Sequence, residues 1–111
     1  MSAFAPLTYQ AAVDTIGNPV SPTNALGIAA GASTTVVKAT PGRVATVTVT
    51  VAGTSTDNAT IYDNTAGSGL ILGVVAGGTA AGTILTLSVP AAIGITVVNV
   101  ASGPGFTIAY S

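Results

Sequence analysis

The stretch TVTVTVAG at residues 46–53 alternates threonine with valine until Ala52 and Gly53 end it. A period of two belongs to a β-strand with one apolar and one polar face, because a helix would scatter the same residues around its circumference. Extended backward, the run gives one strand over RVATVTVTVA, with Ala45, Val47, Val49 and Val51 on one face and Val44, Thr46, Thr48 and Thr50 on the other. One strand has no stability of its own, so the remaining chain must build its sheet.

From Ser33 onward the sequence does so. STTVVKA reads as a strand, and TPGR as a type II turn in which Pro41 presets φ and Gly42 takes positive φ. RVATVTVTVA follows, then ATIYD after the GTSTDN turn, then LILGVVA after NTAGSG. LILGVVA is apolar on both faces, as expected of a strand covered on each side. TILTLSVP alternates again, IGITVVNVA changes phase at Val97 and Val98 in the manner of a bulge, and GFTIAYS places Phe106, Ile108 and Tyr110 on one face. Seven short strands with turn residues between them predict an all-β fold, a single antiparallel β-sandwich of jelly-roll-like type. Residues 1–32 lack either period and carry Pro19, Pro22, Asn18 and Asn24, so they read as an extended N-terminal arm preceding a domain at 33–111. Within the arm, YQAAVDTI is long enough for two helical turns but has no cap.

Composition limits what such a sandwich can do. The charged residues are Asp14, Lys38, Arg43, Asp57 and Asp63, or 5 % of 111 residues, against roughly 25 % in an average soluble domain. With 49 % apolar residues, a chain so short of charge is expected to self-associate and to spend its life assembled. A formal charge of −1 with two basic residues removes the electrostatic attraction on which nucleic-acid binding depends. There is no cysteine, so neither disulfides nor thiolate metal sites arise. The opening MSAFAPLTYQ has no basic residue ahead of an apolar run and does not read as a signal peptide. Apolar runs such as GLILGVVAGG fall short of the roughly 20 residues of a membrane helix, so no membrane partner is expected.

The chemistry is equally sparse. General acid–base, covalent and metal-assisted catalysis each need titratable or coordinating side chains, and the sequence contains no histidine, cysteine or glutamate. No catalytic residue, cofactor or metal site is assigned, and the chain is read as not an enzyme. Asp57, Asn58, Asp63 and Asn64 offer oxygen ligands to a Ca²⁺ ion, but these residue types are also what turns require. GGTAAGT lacks the GK[ST] ending of a phosphate loop, and the NAT triplet at Asn58 matters only in a secretory pathway that nothing else indicates. Tyr62 and Tyr110 read as residues at the rim of the core. Threonine-rich faces can instead be touched without burying a charge. The candidate partner contacts are therefore Thr46, Thr48 and Thr50, with Lys38 and Arg43 flanking the TPGR turn either as holders of a carboxylate of a partner subunit or as ordinary solvated strand ends.

Over residues 33–110, the Lys38 preceding the TPGR turn, the long alternating strand, the strand end Ile61-Tyr62-Asp63 and the short last strand together resemble small structural proteins of tailed-bacteriophage virions. The resemblance implies a viral protein of the capsid decoration or cement type. Such a protein sits on the capsid exterior as a homo-oligomer bound to a major capsid protein, without cofactor. Alternatives are a head- or tail-fibre module, for which the chain is short, and a non-viral surface or glycan-binding sandwich, for which three tyrosines and no tryptophan make a poor stacking platform.

Overall fold

The computed structural model describes residues 22–111. The YQAAVDTI stretch and the greater part of the expected arm lie outside the described residues. Within them the protein is all-β, with eight strands: β1 (Asn24–Ile28), β2 (Thr34–Lys38), β3 (Gly42–Val51), β4 (Ala59–Asp63), β5 (Leu70–Val75), β6 (Ile84–Ala91), β7 (Ile95–Val98) and β8 (Gly105–Tyr110). They form two four-stranded antiparallel sheets of order β1-β8-β3-β6 and β2-β7-β4-β5. The first strand pairs with the last, the second with the last but one, the third with the sixth and the fourth with the fifth. The chain is thus one long hairpin, folded at the β4–β5 loop and rolled into two layers, which is the jelly roll.

Alternation makes the layers stick. In the first sheet Leu26, Ile108, Val47 and Leu85 form one inward row across β1, β8, β3 and β6, and Ile28, Phe106 and Val49 form another. Ile61, Val75, Ile95 and Val97 face them from the second sheet, and all of these except Leu26 and Leu85 are buried. Each fully buried side chain of this size contributes about 1.5–3 kcal/mol.

Four expectations are corrected. Residues 24–28, read as part of the arm, pair with β8 along their whole length, so eight strands replace seven. On β3, Val44 is buried and Ala45 is not, because the register against β8 shifts between Val44 and Thr46. One extra residue at Ala45 flips the phase, and a second shift between Val49 and Val51 leaves Val51 exposed. The irregularity read at Val97 and Val98 lies instead on the neighbouring strand, between Val36 and Lys38, while β7 runs in unbroken register with β4. Gly42 is not in positive φ and opens β3 directly. Glycine is needed there for closeness, since a Cβ would collide with the Ser111 carbonyl and sit 2.9 Å from the Lys38 Cδ.

The loops are held by their own polar residues. Asn64 Oδ1 accepts from Thr65 N at 2.8 Å and its Nδ2 donates to Ser68 O at 2.8 Å, and Gly69 completes the β4–β5 loop at φ 105°. This loop also lies against the outer face of the second sheet, where the buried Thr96 donates its Oγ1 hydrogen to Asn64 O at 2.7 Å. It explains why β7 is buried on both faces.

Candidate functional site

Cross-strand register assembles a surface that no single strand shows. On the outer face of the first sheet Ala25, Ala109, Thr46 and Thr86 stand in one row across β1, β8, β3 and β6. Gly27, Thr107, Thr48 and Ile84 stand in the next. Every side chain in these two rows is uncharged, and all but Ile84 are no larger than threonine. Among the described residues, a Cβ placed on Gly27 would meet nothing within 4 Å. Threonine hydroxyls there can exchange hydrogen bonds with a partner while the methyls pack, and no ion has to be desolvated.

Of the residues singled out in the sequence, Thr46 and Thr48 are the two that the structure brings together on this face. Thr50 is exposed within the second register shift, near the far end of β3. Arg43 stands at the opposite end, where its Nη2 donates to Ser88 O at 3.1 Å, holding the β6 bulge in which Ser88 takes φ 49°. Lys38 belongs to the second sheet and lays its stem beside Gly42. The two cations therefore shape the turn between the sheets, and neither stands among the threonine rows. Ala25, Gly27, Thr86, Thr107 and Ala109 were missed as partners of these threonines. Their signal was the outward set of FTIAY and TILTLS, which needs the strand order before it becomes a surface.

The oxygen-bearing residues do not converge. Asp57 and Asn58 precede β4, while Asp63 is its last residue and Asn64 follows, and their oxygens are largely spent on backbone donors: Asn58 Oδ1 accepts from Gly77 N at 2.9 Å. Asp63 is buried, and its carboxylate accepts from Ala92 N at 2.9 Å, Ile93 N at 2.8 Å and Gly94 N at 3.2 Å. Burial by itself raises the pKa of this group, but the three N–H donors outweigh it and hold the carboxyl below the ordinary aspartate value. Asp63 is thus a clamp: from β4 in one sheet it fixes the crossover that leaves β6 for β7. Tyr110 packs against the core from β8, whereas Tyr62 is half-buried on the outer face of the second sheet.

The fifth strand departs from its sequence reading. Expected to be covered on both faces, β5 is an edge strand, and Leu70, Ile71 and Val74 are 67 %, 52 % and 47 % exposed. Comparison with family models, curated proteins and solved structures finds no match to this chain.

Proposed function

We propose that this protein is a structural virion subunit that decorates or cements a bacteriophage capsid from outside, joining copies of itself and a major capsid protein through uncharged sheet faces. The observation that carries the reading is the pair of rows through Thr46 and Thr48, which cross four strands without a charge and, Ile84 apart, hold nothing larger than threonine. The jelly roll supports it as an architecture common in viral shells, and one it shares with lectins and cupins. Its role is mechanical, with no catalytic residue, cofactor or nucleic acid involved. Affinity comes from repeated contact, each contact weak and the number set by the shell.

Adding the purified protein to capsid shells that lack it tests the reading. It is expected to sediment with the shells and add ordered density on their outer surface. Thr46→Lys and Thr48→Lys, which place a charge in the contact, are expected to weaken shell binding about tenfold each. Their melting temperatures should stay close to that of the parent, because both side chains point away from the core. Unimpaired binding by both variants would remove this face from the interface, and failure of the parent protein to bind any shell, together with a saccharide ligand or substrate turnover, would overturn the function.

A further inference from the structure

Among the described residues the two sheets have four edges, and three of them are protected. β2 is broken by the irregularity between Val36 and Lys38 and ends in that lysine. β6 carries Pro90 and the positive-φ Ser88, and β1 is only five residues long with Gly27 within it. β5, with the sequence LILGVV, has neither charge nor proline, and its hydrogen-bonding groups on the side away from β4 face outward.

We infer that β5 pairs antiparallel with β5 of a second copy about a two-fold axis, making one eight-stranded sheet from the two second sheets. This rests on the assembly reading above and names its contact. The occupant is a second copy because the strand is complementary to itself, with one register that matches faces over its whole length. A shift between Ile61 and Tyr62 makes Leu72 the extra residue of β5. Ile71 and Val74, opposite Tyr62 and Thr60, therefore face outward, while Leu72 packs on the core and Gly73 looks toward Leu87. With the axis between Leu72 and Gly73, Ile71 meets the partner's Val74 on the outer face, Leu72 meets the partner's Gly73 on the inner face, and the two kinks coincide. Moving the axis by a half or a whole residue sets outward residues against inward ones. Isologous pairing also sets like against like, which would oppose charges to themselves, and β5 has none to oppose.

The absence of cysteine makes the register testable. Ile71→Cys and Val74→Cys proteins, mixed and exposed to oxidised glutathione, are expected to give a mixed disulfide dimer, the oxidant leaving as reduced glutathione. Either protein alone should give little, because identical positions lie three residues apart along the strand, about 10 Å, beyond the roughly 7 Å limit for a disulfide. Val74→Lys should raise the concentration needed for self-association about tenfold or more, with an unchanged circular dichroism spectrum. Ile93→Lys, at a loop residue 53 % exposed, should leave it unchanged. If the parent associates but the mixed disulfide fails to form and Val74→Lys associates normally, the β5 contact is wrong while the assembly reading stands. A parent protein that stays monomeric at every concentration overturns both.

Discussion

Replacing Phe106 with alanine is expected to cost about 4 kcal/mol and to lower the melting temperature by about 20 °C. Phe106 is the largest fully buried side chain, and it lies on β8 between Val49 of β3 and Ile28 of β1. Its ring fills the inter-sheet space at one end of the sandwich, where the neighbouring valines and isoleucines are too short and too stiff at χ1 to collapse into the gap. A domain of this size has about 5–15 kcal/mol in total, so the substitution should remove roughly a quarter to four-fifths of its stability. Denaturant unfolding checks it: the midpoint should fall steeply while the slope stays that of the parent. A loss below about 1 kcal/mol would mean that the two sheets do not pack as described.

Asp63→Ala is expected to cost about 3 kcal/mol, because three backbone N–H groups lose a charged acceptor together. Asp63→Asn should recover only part of this, since its amide keeps one acceptor oxygen and turns an NH₂ toward a donor. The pH dependence has a definite sign. The carboxyl is held below its ordinary value in the folded protein, so its stabilisation is complete above the unfolded-state pKa of about 3.9. It is lost as pH falls through the lower, folded value. Parent and Asp63→Asn melting curves should therefore differ most near neutrality and converge on acidification below about pH 4. A constant gap from pH 7 to pH 2 would mean that the carboxylate charge has no part in holding the β6–β7 crossover.

Much of this architecture is legible in the sequence, because the period of two survives wherever one face of a strand is buried. ATIYD coincides with β4, LILGVVA and GFTIAYS contain the strands they mark, and TILTLSVP covers all of β6 but Ala91. β1 was hidden because NALGI has Ala25 and Gly27 on its outer face, so its alternation is one of size and not of polarity. Only the free side of β8 makes a strand of it. The phase changes were legible as irregularities, but assigning them needs the partner strand, since a bulge is an extra residue relative to a neighbour. For that reason Ala45 was placed inward and the break in β2 was credited to β7.

The candidate surface was legible in part for the same reason. Thr46 and Thr48 are conspicuous on β3, whereas the residues completing their rows come from other strands, as far away in sequence as Ala109, and look unremarkable there. β5 is the instructive failure: an all-apolar strand reads as one with cover on both faces, and among the described residues that cover is absent. The composition argument and the edge position agree if the missing cover is another molecule. Asp63 was weighed as a cation ligand or a turn residue, and its role as a clamp across the sandwich needed the β6–β7 crossover to be in place.

Sedimentation equilibrium of the purified 111-residue chain over a wide concentration range is the most direct measurement of whether its uncharged surfaces exist to be covered. The expected result is a mass that rises above 10.6 kDa to a defined multiple and does so at lower concentration for the parent than for Val74→Lys. A single species of 10.6 kDa at the highest concentration reached, with no affinity for any capsid shell, would contradict the account.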